Sequence, residues 1–201
     1  MKTFDEQIKN LRGQFSSISQ ISSDSNSLFA DKYGPLGKGG STIFDGTYLP
    51  GKIYQGEYYT KTRVSDKHPY INRNPLFFFI KQEKTKNGDI LVSLDLNVIP
   101  PDYRGNIFFK LWNQYGSILG DNDKNPQTSQ IPIPNLSASF KSLLRGTGWQ
   151  NSLTGFKKDF MKNVKVVDYA DWVRIPYLSD TSIEGQGVSE IYNSYRSKLN
   201  P

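Results

Sequence analysis

One hairpin signature constrains this chain more than any other feature. Val92, Leu94, Leu96 and Val98 alternate with Ser93, Asp95 and Asn97, and the pair Asn87-Gly88 joins this run to the apolar stretch from Leu76 to Ile80. A period of two puts apolar side chains on one face of a strand and polar ones on the other. Asn-Gly between two such runs is the strongest short-range hairpin signal. An antiparallel sheet, wet on one side, is expected. Further strand-like segments lie near 43–49 and 52–61, so the strands occupy about 43–99 and are punctuated by Asp45-Gly46 and Pro50-Gly51. Val164 to Ile175 is β-branched in character and is expected to return to the sheet before Pro176 ends it.

Helical periods flank this block. Thr3-Phe4-Asp5-Glu6 has capping-box form, and Phe4, Ile8, Leu11, Phe15 and Ile18 recur at spacings of four and three, predicting a helix from about 4 to 20. Its apolar stripe is narrow and needs a partner surface, either its own domain or a neighbouring subunit, which makes Phe4, Ile8, Leu11 and Phe15 candidate assembly contacts. Residues 22–42 are rich in Ser, Gly, Asn and Asp and read as an arm or linker. After Pro100-Pro101, the positions Ile107, Phe108, Leu111, Trp112, Tyr115, Ile118 and Leu119 predict an amphipathic helix over about 101–119. A short helix is expected near 137–145. Val188, Ile191, Tyr192, Tyr195 and Leu199 mark another over about 185–199. Residues 120–137 form a proline-marked extended loop, long enough to be a contact segment. The expected fold is α+β: a small antiparallel sheet or partly closed barrel with flanking helices in a single domain over 43–201, preceded by an N-terminal helical arm over 1–42.

Composition narrows the chemistry. The 201 residues contain no cysteine and one histidine, His68, which excludes disulfides, thiolate sites and any centre needing two imidazoles. The longest apolar run, Leu76 to Ile80, is far short of the roughly 18 residues of a spanning helix, and no secretory signal is expected at the N-terminus. Gly37-Lys38-Gly39-Gly40-Ser41-Thr42 has the ingredients of a phosphate loop in the wrong order, with the lysine ahead of the glycine pair. Asp89, Asp95, Asp102 and Glu57 could hold Mg²⁺ for phosphodiester cleavage only if the fold gathered them. His68 has no visible nucleophile beside it. The expectation is a protein without catalytic residues, metal or cofactor.

The net charge of +6 is unevenly spread. Residues 51–86 hold Lys52, Lys61, Arg63, Lys67, Arg73, Lys81, Lys84 and Lys86 against Glu57, Asp66 and Glu83, and residues 137–178 form a second basic block. Two such blocks could converge on one face and follow a phosphate backbone, or simply decorate a solvated surface. Aromatics interleave with the first block at Tyr54, Tyr58, Tyr59 and Tyr70. That pattern suits stacking on exposed bases, and equally tyrosines that face a core with their hydroxyls at its rim.

Gly51-Lys52-Ile53-Tyr54, Tyr58-Tyr59-Thr60-Lys61, Pro69-Tyr70 through Pro75-Leu76, Ser93-Leu94-Asp95-Leu96-Asn97 and Pro100-Pro101-Asp102-Tyr103-Arg104 resemble, in that order, the DNA end protector family of tailed-bacteriophage virion proteins. The likeness covers about residues 50–115. Asn72-Arg73 stands where the family carries an acidic residue, and Ser93 through Asn97 departs from the family's Gly-Leu-Asn pattern. The resemblance implies a non-enzymatic component of the virion, made in the host cytoplasm and oligomeric in the particle. Its partners would be other virion proteins and the ends of packaged duplex DNA, with no membrane involved. The expected DNA-binding residues are Lys52, Tyr54, Lys61, Arg63, Lys67, Arg73 and Arg104. The alternative is a purely structural assembly protein of the phage neck, tail or baseplate.

Overall fold

The structure is a computed structural model. It describes residues 3–38, 44–61, 64–65, 69–120, 138–179 and 183–199. The expected contacts Arg63 and Lys67, His68 and the 121–137 loop lie outside the described residues.

Thr3 caps the first helix, α1 (Phe4–Gly13): its hydroxyl accepts the Glu6 N–H at 3.2 Å, and the Glu6 carboxylate accepts the Thr3 N–H at 2.7 Å. The helix expected to reach residue 20 ends at Gly13. A second begins after Ser17, whose hydroxyl accepts the Gln20 N–H, and forms α2 (Ile18–Tyr33). The arm expected from residue 22 is therefore helical as far as Tyr33. Its composition misleads because Ile21, Ser25, Phe29 and Tyr33, four apart, form its buried face, and docking of that face overrides the weak helix propensity of the serines. Polar contacts hold the helix down. The Tyr33 hydroxyl donates to Asp171 at 2.6 Å and accepts the Asp168 N–H at 2.9 Å, while Lys32 lies 2.6 Å from Asp168 and 2.7 Å from Asp171.

Among the described residues, seven strands follow the change of period: β1 (Ile53–Tyr58), β2 (Tyr70–Asn72), β3 (Leu76–Thr85), β4 (Gly88–Asp95), β5 (Leu153–Lys157), β6 (Met161–Val166) and β7 (Ile183–Gly185). Five make one antiparallel sheet in the order β5-β4-β3-β1-β6, and β2 pairs with β7 separately. The expected hairpin is present. Thr85 pairs with Gly88, and the positive φ falls on Gly88 at 102°, the conformation that makes glycine useful there. No strand forms over 44–49. That segment instead lays Phe44 and Tyr48 on the sheet. The expected strand over Val164–Ile175 divides into β6 and a 3₁₀ segment, Tyr169–Tyr177.

The sheet must curl. Residues 158–160 join the two edge strands across at most about 14 Å at ~3.5 Å per residue. Five strands laid flat would hold those edges about 19 Å apart at ~4.8 Å per step. The outer face carries Ile53, Phe78, Ile80 and Leu94, covered by α1, α2, α3 (Pro101–Gly120), α4 (Ala138–Leu143) and the 3₁₀ segment. The inner face is a smaller aromatic cluster of Tyr48, Tyr54, Phe77, Phe79, Leu91 and Phe156. A last helix, α5 (Val188–Ser197), buries Ile191 and Tyr195. The α+β class holds, with an open curled sheet and no closed barrel. Among the described residues no helix is long and apolar enough to cross a membrane.

Candidate nucleic-acid interface

The residues expected to touch DNA divide sharply by burial. Tyr54 is 1% exposed; its ring stacks on Phe77 with centroids 5.6 Å apart, and its hydroxyl accepts the Leu49 N–H at 2.7 Å. Burial pushes that phenol up to about 12. Tyr54 belongs to the inner core, so the assignment to DNA is corrected: its ring has no face left for a base.

Arg104 is corrected in the same way. It is 1% exposed, and its guanidinium donates to the carbonyls of Ile99 (2.6 Å), Leu178 (2.8 Å) and Asn97 (3.2 Å) and to the Tyr192 hydroxyl (2.5 Å). One side chain thus ties the exit of β4 and the start of α3 to the end of the 3₁₀ segment and to α5. A planar fork of five donors can do this where a lysine could not.

Arg73 lies 2.6 Å from Glu184 and donates to the Thr60 carbonyl at 3.1 Å, pinning the β2–β7 pair to the chain after β1. Lys52 is half-buried, and that burial pulls its ammonium below the usual lysine range. Lys61 is exposed. The four assembly candidates also turn inward. Phe4 is 3% exposed and sits 5.4 Å from the Trp112 ring, Leu11 is buried, and Ile8 and Phe15 pack against the same core. The stripe packs within the chain, which corrects its reading as an intersubunit contact for buried Phe4 and Leu11, while Ile8 and Phe15 are half-buried.

Three of the motif segments meet at one mouth of the curled sheet. A cavity of about 250 Å³ is lined there by Tyr58, Thr60, Tyr70, Asn72, Asp95 and Thr154, among others. The Asp95 carboxylate accepts from the Asn72 amide at 2.9 and 3.0 Å and from the Asn97 N–H at 3.1 Å. Burial, then the charge of Asp95, pushes the Tyr70 phenol up to about 12. A carboxylate floor repels phosphate, so this mouth is a poor seat for a DNA backbone. The other carboxylates lie with separate partners: Asp89 accepts from Gln82 at 2.6 Å, Asp102 is 3.3 Å from Arg196, and Glu57 accepts from Tyr59 and Asn163. Among the described residues no three His, Cys, Asp or Glu side chains gather to hold a metal ion.

The two basic blocks do meet, at the opposite end of the sheet. The β4–β5 ladder places Lys157 opposite Ile90, which itself faces Glu83 on β3. Lys157 and Lys158 therefore stand beside the hairpin end that carries Lys81, Lys84 and Lys86. Sequence reasoning contained all five lysines but had no signal for β5, whose Gly155 interrupts any strand pattern. Helices provide a second feature. A groove of about 570 Å³ runs between α1 and α3, lined by Phe4, Ile8, Ile18, Pro101, Phe109 and Tyr177 among others; Ile18 is 64% and Phe109 39% exposed.

No protein-family model, no curated protein and no solved structure matches the chain.

Proposed function

We propose that the protein is a non-enzymatic component of a tailed-bacteriophage virion, akin to the DNA end protector proteins, that binds the ends of packaged duplex DNA. One observation carries the reading. The five motif segments, in the family's order over residues 51–104, supply β1, β3 and β4, adjacent in one sheet, together with β2 of the second sheet and the start of α3. Within these segments Tyr54, Leu76, Leu96 and Arg104 are all buried.

A purely structural role in the neck, tail or baseplate is the second reading. The apolar groove between α1 and α3 favours it, because Ile18 and Phe109 leave large apolar surface in water where a neighbouring subunit could cover it.

The deciding experiment compares binding to an end-labelled linear duplex and to a closed circle of the same sequence at several salt concentrations, with an exonuclease challenge on the linear form. End-binding predicts preference for the linear DNA and protection of its ends. Weak binding that ignores topology and vanishes by physiological salt would overturn it in favour of the structural reading.

A further inference from the structure

We infer that the end of the β3–β4 hairpin, with the adjoining end of β5, is the surface that meets the phosphate backbone of duplex DNA. This rests on the end-binding function proposed above and moves the contact away from residues 51–73.

The hairpin outruns the domain. On one side, β1 pairs with β3 only as far as Phe78, with two further backbone bonds, Gly51 N–H to the Phe79 carbonyl and Phe79 N–H to the Lys52 carbonyl; on the other, β5 stops at Lys157 opposite Ile90. Beyond those points no further strand pairs with the two from Lys84 to Asp89, roughly 10 Å of ribbon at ~3.4 Å per residue, and residues 158–160 lie beside it, with Asp159 next to Gly88. Residues 82–87 are exposed, and none of residues 82–89 belongs to either apolar core. An extension that buries nothing contributes little to folding. A two-stranded ribbon is, however, narrow enough to enter the major groove, about 12 Å wide.

Its charges are available in a way that those of the motif segments are not. Among the described residues, the ion pairs engage Lys32, Arg73, Lys81, Arg174 and Arg196. Lys84, Lys86, Lys157 and Lys158 enter none of them, and the two on the β5 side lie over rings, Lys157 at 5.4 Å from the centre of Phe160 and Lys158 at 6.0 Å from that of Tyr48. Of the carboxylates nearby, Glu83 pairs with Lys81, while Asp89, which accepts from the neutral amide of Gln82, and Asp159 keep their charge, so the four lysines outnumber the uncompensated carboxylates by two. The register sets Lys84 on the side of Leu91 and Phe156, Lys157 on the opposite side and Lys86 in the turn. A ribbon with a cation on each flank and one at its tip can meet both walls of a groove. Each phosphate it neutralises releases counterions, so its contribution is read directly in the salt dependence.

The test measures affinity for a short linear duplex as a function of salt for three proteins. These are the wild type, the variant K84Q/K86Q/K157Q/K158Q, and a control of equal charge change spread over four exposed lysines, K9Q/K61Q/K141Q/K198Q. Lys84, Lys86 and the four control lysines are exposed and Lys157 and Lys158 half-buried, and unchanged circular dichroism verifies the folds. The hairpin variant is expected to lower the slope of log affinity against log salt by between three and four, at about 0.9 per contact. The control should move it by less than one. Equal changes in both variants would mean that net charge alone matters, and would overturn the inference. A hairpin variant that binds like the wild type would overturn it while leaving end-binding intact. Absence of any wild-type affinity for linear DNA would overturn both, and the lysines would then be sought at an acidic neighbouring subunit.

Discussion

The two ends of the curled sheet use charge in opposite ways. Where β3 begins and β4 runs out, charge and amide are turned inward: Arg104 spends its donors on four backbone carbonyls and a tyrosine, Asp95 accepts from Asn72 and Asn97, and Arg73 is tied to Glu184. At the hairpin end, Lys84 and Lys86 face water outside the ion pairs of the described residues, and half-buried Lys157 and Lys158 lie over the rings of Phe160 and Tyr48. A cation whose donors are already satisfied inside the protein is part of the fold. One left in solvent on a projecting ribbon is available to a partner. The role of a basic residue thus follows from its partners, and its position in a motif is a weaker guide.

The largest expected effect is that of alkali on the inward-turned groups. Burial raises the phenols of Tyr33, Tyr48, Tyr54, Tyr70 and Tyr195, with Tyr54 and Tyr70 at about 12. A folded value above the unfolded value near 10 gives stability that is complete below about pH 10 and lost as the pH rises through the folded values. Tyrosinate absorbance and loss of helical circular dichroism should therefore appear together between about pH 10 and 12. Ionisation of all twelve tyrosines near 10 in a protein that stays folded would break the picture of an aromatic interior.

Next in size is Phe4→Ala. A phenylalanine lodged against Phe108 and Trp112 is expected to cost about 3–5 kcal/mol in urea unfolding of the isolated chain. An intersubunit helix would instead show little change in the isolated chain and a defect only in the particle. The smallest effects belong to the hairpin end, where replacing an exposed lysine is expected to shift stability by no more than about 0.5 kcal/mol. The consequences of such changes should appear only in binding.

Strong periodicity made part of this legible. The Asn87-Gly88 hairpin, α3 and α5 follow from apolar spacing alone, because each is long and presents one clean face. Helix α2 was hidden because Ser25, fully buried, occupies the core position between Ile21 and Phe29, so the stripe lacks its middle member. Edge strands β5 and β6 were obscured by Gly155 and by Asn163, which takes a positive φ of 48° where β1 and β6 shift register. The candidate site suffered most. Residue type shows that Arg104 carries a charge, but only the convergence of Ile99, Leu178 and Tyr192 shows that the charge is consumed. Likewise the meeting of the two basic blocks depends on the pairing of β4 with β5, a contact between segments some sixty residues apart that leaves no local trace.

The most direct measurement sets the two ends against each other in one urea titration, Arg104→Ala beside K84Q/K86Q/K157Q/K158Q. Removing a buried cation that satisfies several carbonyls is expected to lower the unfolding free energy by about 3 kcal/mol or more. The lysine variant should remain within about 1 kcal/mol of wild type. An Arg104→Ala protein as stable as wild type, with the hairpin variant the weaker of the two, would contradict the division between charge that builds the fold and charge left for a partner.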